Sequence, residues 1–391
     1  MPQQLAYVIV TPYSLYKSRT GGILSRLISR TGLDLAAARM FAPGPALVQE
    51  FAETIVSPSD KPQDRRIQEL LRQYVLRNFS PDPKTGRGRR VMVLLFRGED
   101  AVRKVRSVVG NLSPDRRVGE TIRDTYGDFV VGENEEVRYF EPAALIVPTP
   151  EDAQMKLKLW ARYSDSDGGV LENVNTYPPG QTPQRTLVLI KPDNFRFATG
   201  RPGNVIDFFS RTGLFIVGIK VHRMSVAEAI EFYGPVREVL RTKLKDVVST
   251  RAKAALEKEF GFPIPPAEQK TLGDLLGPSF GDNQFENIVR FMAGRAPSEC
   301  PPEERNQPGS EKCIALVYEG VAAVSKIRDV LGPTDPSKAP PGSIRREFGQ
   351  SIMVNAAHAS DSPENAQREI GIVKPGENTF RRVIEEFYGK A

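Results

Sequence analysis

The chain repeats itself. Ser29-Arg-Thr-Gly-Leu33 recurs letter for letter as Ser210-Arg-Thr-Gly-Leu214, and Val91-Met-Val-Leu-Leu-Phe-Arg-Gly98 parallels Cys313-Ile-Ala-Leu-Val-Tyr-Glu-Gly320. Arg106 through Gly110 parallels Arg328 through Gly332, Thr121-Ile-Arg123 parallels Ser343-Ile-Arg345, and Pro150-Glu-Asp-Ala-Gln154 parallels Pro363-Glu-Asn-Ala-Gln367. Matches that keep one order along the chain are the mark of a unit used twice. Whatever fold one half adopts, the other must tolerate.

Between the repeats, Ser164-Asp-Ser-Asp-Gly-Gly169 and Asn175-Thr-Tyr-Pro-Pro-Gly180 read as a connector rich in Pro, Gly, Ser and Asp. The expected organisation is a first copy over 1–162, a linker over 163–183, and a second copy over 184–391 with an insert around 234–283. Within a copy the pattern alternates short buried strands with helices. Leu187-Val-Leu-Ile190 is a strand, Asn204 to Arg211 a helix ended by Gly213, and Leu214 to Val221 the next strand. Ser225 caps a helix over Val226 to Tyr233, Ile314 to Tyr318 is a strand, and Ala322 to Leu331 a helix. Ser351 to Asn355 is expected to be the last strand, feeding a loop that carries His358. This order predicts an α+β fold: two tandem ferredoxin-like sandwiches, helices on one face of an antiparallel sheet.

Composition narrows the function. At 40% hydrophobic and 26% charged the chain is that of a globular protein, and no apolar run approaches the ~18 residues of a membrane span. The N-terminus lacks a basic n-region and reads as a first strand. Two cysteines are too few for a disulfide framework or zinc site, so a reducing, cytoplasmic setting is expected. A net charge of +6 suits an anionic partner. Without a Lys/Arg run interleaved with aromatics, a phosphate ligand is the better reading and nucleic acid the weaker one.

The polar residues of the second copy fit that ligand. Lys191 ends the first strand, Tyr233 closes a helix, Arg328 and Thr334 flank Leu331-Gly-Pro, and Arg345 follows a Pro-Pro-Gly turn. Asn355 and His358 end the last strand, and Glu369 lies about two turns into a helix capped by Ser362 and begun by Pro363. Arginines take phosphate oxygens bidentately and lysine adds a point charge. A carboxylate against an imidazole prepares it as base or nucleophile. Alone, a histidine beside Ser and Asp more often describes a surface loop capping a helix. No Gly-x-x-x-x-Gly-Lys loop and no kinase-type Gly-rich loop is present.

These residues resemble the nucleoside diphosphate kinase family. Its Asn-x-x-His-x-Ser-Asp-Ser pattern stands as Asn355-Ala-Ala-His358-Ala-Ser360-Asp361-Ser362, its Arg-x-x-Leu-Gly-x-Thr run as Arg328 to Thr334, its Pro-Gly-Thr-Ile-Arg as Pro341-Gly-Ser343-Ile-Arg345, and its Lys-Pro-Asp as Lys191-Pro192-Asp193. The resemblance implies that His358 is a phosphorylated nucleophile held by Glu369 and supported by Ser360 and Asp361. It implies that Lys191, Tyr233, Arg328, Thr334 and Arg345 contact phosphates, and that Asn355 and Lys191 reach the sugar. The substrates implied are ATP or another NTP and an NDP, with Mg²⁺ carried on the nucleotide phosphates and no direct protein ligand. The family's base-clamping aromatic falls on Gln284, leaving Phe285 and Ile288 as the candidate base contacts. The extra residues between Tyr233 and Gln284 include a basic run, Lys243 to Phe262.

The first copy lacks this set. Thr11 stands at the lysine's position, Leu112 at the threonine's and Leu145 at the histidine's, and the copy contains no histidine; Arg106 and Arg123 persist, read as solvated surface arginines. The expectation is a pseudo-enzyme copy that pairs with the second in an intramolecular pseudo-dimer, with further homo-oligomerisation by family analogy. The competing reading is a sensing or scaffolding protein that retains the phosphate site. A third is nucleic-acid binding through the basic insert.

Overall fold

The computed structural model describes residues 3–56, 62–112 and 119–390; Met1 and Pro2, expected at the head of the first strand, lie outside them. The strands are β1 Gln3–Val10, β2 Asp34–Phe41, β3 Val91–Glu99, β4 Asp128–Val131, β5 Val137–Glu141, β6 Ala144–Ile146, β7 Gly168–Gly169, β8 Gln184–Ile190, β9 Phe215–His222, β10 Cys313–Gly320 and β11 Ala357–Ala359. The chain divides into two compact units, Met1–Val221 with Ile314–Ala391, and His222–Cys313.

In the first unit the two repeats build two sheets of one topology. The N-terminal sheet runs β6-β1-β3-β2-β7 and the C-terminal sheet β11-β8-β10-β9. Setting aside β7, both place the fourth strand beside the first, then the third, then the second, which is the ferredoxin-like order. β1 pairs antiparallel with β3 and β6, and β8 antiparallel with β10 and β11. The central strands β1, β3, β8 and β10 are apolar runs buried on both faces, and they make the cores.

The repeated pentapeptide is a helix stop. Helix Thr20–Thr31 ends at Gly32 with φ 63°, and the short turn after helix Arg201–Phe209 ends at Gly213 with φ 67°, a conformation glycine adopts without steric cost. In each copy the threonine hydroxyl donates back to a carbonyl one turn earlier and accepts the amide of the leucine beyond the glycine.

Helix Thr20–Thr31 packs directly on helix Arg201–Phe209, one from each repeat. Gly21 and Gly203 meet at the crossing: a Cβ at Gly21 would lie 2.5 Å from the Gly203 carbonyl oxygen and 2.6 Å from the Asp207 amide. Buried Arg39 on β2 donates to the carbonyls of Ser164, Gly168, Gly376 and Glu377, at 3.0–3.2 Å. The stretch read from sequence as plain connector also takes part. Gly168 and Gly169 pair with Phe41 and Met40 as β7, and the Leu171 amide donates to Val217 of β9.

Two further differences from the expected pattern stand out. The last strand is Ala357–Ala359, not Ser351–Asn355, so His358 sits on a strand and not in a loop. The apolar letters of Ser351 to Val354 suggested a strand, but Ile352 is 63% exposed and the segment is a run of bends; pairing to β8 begins only after Ala356 turns at φ 70°. The N-terminal repeat also carries an unforeseen hairpin, β4–β5.

The second unit is mainly helical, with helices Val226–Lys243, Lys245–Phe260 and Pro266–Ala293. Gly273, Gly277 and Gly281 recur every fourth residue, on one face of the longest helix. A Cβ at Gly281 would strike the Arg241 backbone at 2.5 Å, so small residues here let the helices approach closely. Several basic side chains of this unit are ion-paired: Arg237 with Asp282 at 2.8 Å, Lys245 with Asp274 at 2.8 Å, and Lys253 with Glu257 at 3.7 Å. Among the described residues no helix is long and apolar enough to cross a membrane.

Candidate active site

The site is built at the ends of β8 and β11 and on the helices that follow. His358 stands on β11 opposite Leu189, its side chain 23% exposed. Ser362 accepts the Asn365 amide at 3.1 Å and Pro363 occupies the first turn, so helix Pro363–Val373 starts just past the strand. That start carries Glu369 back under the imidazole: its Oε2 lies 2.9 Å from His358 Nε2 and accepts the Ser360 hydroxyl at 2.6 Å. Ser360 and Glu369 are buried. Arg368 comes within 3.5 Å of the second carboxylate oxygen. Asp361 is exposed and accepts from the Asn365 amide group at 2.6 Å.

Lys191 follows β8. Its backbone amide donates to Ala356, and its ammonium donates to Asn355 Oδ1 at 3.0 Å and to the Met353 carbonyl. Burial pushes this lysine down to about 8, with Asp193 pulling it up and the Arg345 charge pushing it further down. Asn355 in turn donates to the carbonyls of Thr334, at 3.2 Å, and Ile352, at 2.7 Å. Arg345 is fastened to the Gly332 and Ala357 carbonyls at 3.0 and 3.2 Å. Lys191, Asn355 and the Thr334 backbone thus form one hydrogen-bonded group and His358, Ser360 and Glu369 another, and Arg345 reaches the strand next to His358 at the Ala357 carbonyl. Arg328 is exposed in the last turn of helix Ala323–Leu331, which packs on β8 and β11. Thr334 is exposed.

Tyr233, Phe285 and Ile288 belong to the second compact unit. Phe285 is 4% exposed, with the Arg237 guanidinium 5.5 Å from its ring centre. A ring so placed packs its own helices.

Residues 305–378 match the family model for nucleoside diphosphate kinase, a span that holds Arg328, Thr334, Arg345, Asn355, His358, Ser360, Asp361 and Glu369. The chain is 32% identical over 190 residues to a nucleoside diphosphate kinase of Staphylothermus marinus, covering 49% of this chain and 92% of the relative. The chain belongs to the nucleoside diphosphate kinase family. A second relative of that name, from Polynucleobacter necessarius, is 31% identical over 51% of this chain and 98% of its own length. A crystal structure of an NDP kinase from Pyrobaculum aerophilum aligns with 49% of this chain and 95% of its own at 29% identity, with a TM-score of 0.34.

Against this family's motif the N-terminal repeat can be read position by position. Leu145 pairs with Ile9 on β1 as His358 pairs with Leu189 on β8. Thr11 follows β1 as Lys191 follows β8. Its hydroxyl donates to Glu141 at 2.8 Å; the same buried carboxylate accepts from the Tyr74 hydroxyl at 2.6 Å and from the Ala143 amide at 3.0 Å. Arg123 is no solvated surface arginine. It donates to the Gly110 and Ala144 carbonyls at 2.8 and 3.0 Å, as Arg345 does to their counterparts. Ala143 and Ala356 both turn at positive φ, 58° and 70°, so this strained backbone belongs to the fold and not to the chemistry.

Sequence reasoning did not single out Asn194 or Arg201. Asn194 is buried and donates to the carbonyls of Lys191 and Ala356. No spacing rule links residues that meet only because two strand ends do.

Proposed function

We infer that this member of the nucleoside diphosphate kinase family moves the γ-phosphate of a nucleoside triphosphate to a nucleoside diphosphate through a phosphohistidine on His358. The observation that carries this reading is the His358–Glu369–Ser360 cluster beside the cations Lys191 and Arg345. Glu369 on Nε2 fixes the tautomer and leaves Nδ1 as the attacking atom. Nδ1 bonds to the γ-phosphorus as the bond to the bridging oxygen breaks, and the diphosphate departs. A second diphosphate's terminal oxygen then takes the phosphoryl group and the imidazole is regenerated. Lys191, Arg345 and Arg328 are assigned to phosphate oxygens and Asn355 to the sugar. Phosphoryl transfer depends chiefly on such positioning and charge neutralisation.

Mg²⁺ is expected to arrive on the nucleotide, where it neutralises phosphate charge. The donor set agrees with that: Glu369 is taken up by His358 and Ser360, and Asp193 is held through Oδ2 by Arg201. The N-terminal repeat, over 1–162, is read as a pseudo-enzyme copy that pairs with the catalytic copy over 184–391 within one chain, across linker 163–183. The contact of Gly21 with Gly203 and the reach of Arg39 to residues 376 and 377 support this pairing.

The test is to mix the protein with ATP radiolabelled on its γ-phosphate and remove free nucleotide. Acid-labile, base-stable label that disappears in His358→Ala and discharges onto added GDP is the expected result. Nucleotide bound without label would instead make this a nucleotide-sensing or scaffolding member of the family.

A further inference from the structure

We propose that Arg201 is a positioning residue that sets the two phosphate-binding edges of the site, the Lys191 turn and the Arg345 helix, at their working separation. The inference rests on the phosphate-site reading above but not on the phosphohistidine step.

Arg201 opens helix Arg201–Phe209 and turns its guanidinium toward the end of β8. Nε donates to Asn194 Oδ1 at 2.9 Å, while Nη2 donates to Asp193 Oδ2 at 2.7 Å and to the Phe348 carbonyl at 2.6 Å. Phe348 is the last residue of the short helix Ile344–Phe348, whose second residue is Arg345. Asn194 is the residue that joins the Lys191 and Ala356 carbonyls. One planar fork therefore ties the lysine's turn to the arginine's helix and, through Ala356, to the approach to His358. A lysine cannot reproduce this, because it presents a point charge and not a fixed fork.

The N-terminal repeat separates anchoring from positioning. There Arg19 donates to the Tyr126 carbonyl, at the end of helix Ile122–Tyr126, just as Arg201 grips Phe348. At the position of Asp193 that repeat has Tyr13, and Arg19 stacks over its ring at 5.2 Å. Holding the short helix thus needs an arginine but no acid. In the C-terminal repeat the arginine meets a buried carboxylate next to Lys191, whose other oxygen, Oδ1, has no hydrogen-bond partner among the described residues. Arg201 pins that carboxylate and keeps its charge from collapsing onto the lysine ammonium that phosphate must meet.

The test measures ADP affinity by calorimetry for the wild type, Arg201→Lys, Arg201→Ala and the control Arg19→Lys, with thermal melts of each. A lost hydrogen bond to a charged group is worth about tenfold or more in affinity, so Arg201→Lys should weaken ADP about tenfold and Arg201→Ala more. Millimolar guanidinium should restore part of the Arg201→Ala loss, and ammonium at equal ionic strength should not. Arg19→Lys should leave ADP affinity unchanged even if its melt shifts. The proposal is overturned if Arg201→Lys binds ADP within about twofold of the wild type, if Arg19→Lys loses as much, or if guanidinium restores nothing. A wild type that binds ADP but acquires no histidine label would sink the phosphotransfer reading alone; a wild type that binds no ADP would sink both.

Discussion

Lys191 is the residue whose environment makes the sharpest demand. A lysine held at about 8 in the free protein is cationic at neutral pH but loses its charge just above it. The alkaline limb of kcat/KM should therefore fall near pH 8, since that limb reports groups of the free enzyme. Asp193 pulls the value up, so Asp193→Asn should move the limb to lower pH, as a pH–rate profile would reveal. Stability has its own sign. Unfolded, a lysine titrates near 10.4, so between about pH 8 and 10 the native state binds fewer protons than the unfolded one. This lysine's contribution to stability should rise with pH across that window. At His358, Glu369→Gln should keep the fold but lose the fixed tautomer, slowing label uptake by about a hundredfold or more in single-turnover assays. The candidate cluster around His358 was legible because its members lie in contiguous motifs. Asn194 and Arg201 were not, because the fork of Arg201 closes on Phe348, a residue far along the chain that no periodicity points to.

The elements were legible where local chemistry decides them. Gly32 and Gly213 end helices because glycine alone adopts that backbone freely, and Ser225 and Ser362 start them by capping amides. What escaped is set by pairing at a distance. His358 lies on a strand because β8 offers it a partner, and Ser351 to Val354, for all its apolar letters, has none. Hairpin β4–β5 escaped too: it packs through Phe140 against Tyr74, a contact no local pattern announces. The helix crossing at Gly21 and Gly203 is the element most open to test. A methyl group there meets backbone and not a flexible side chain, so Gly203→Ala should destabilise the protein by about 1–3 kcal/mol. Urea unfolding should register this as a lower midpoint at unchanged slope.

At the scale of the chain, two copies of one topology carry different equipment. The N-terminal copy has Leu145 in the register of His358, and Glu141, with Tyr74 and Thr11, puts a buried carboxylate beside the position that Lys191 holds in the other copy. A carboxylate there repels phosphate. Equilibrium dialysis with ADP should therefore find one nucleotide per chain, and two would contradict the division of labour proposed above. The duplication itself was legible, because identical letters survive wherever the fold needs them. That the segment after Ser164 would join both sheets was not legible in a stretch of glycines and aspartates.

That joining segment has a consequence for how the protein behaves when scarce. β7 lies on β2, and Leu171 reaches β9 a few residues later. The two halves meet at a local concentration set by the tether and not by how much protein is present. Association between separate subunits fades on dilution, but this encounter is first order and does not. Specific activity should stay level down to protein concentrations at which a partnership of separate chains would come apart.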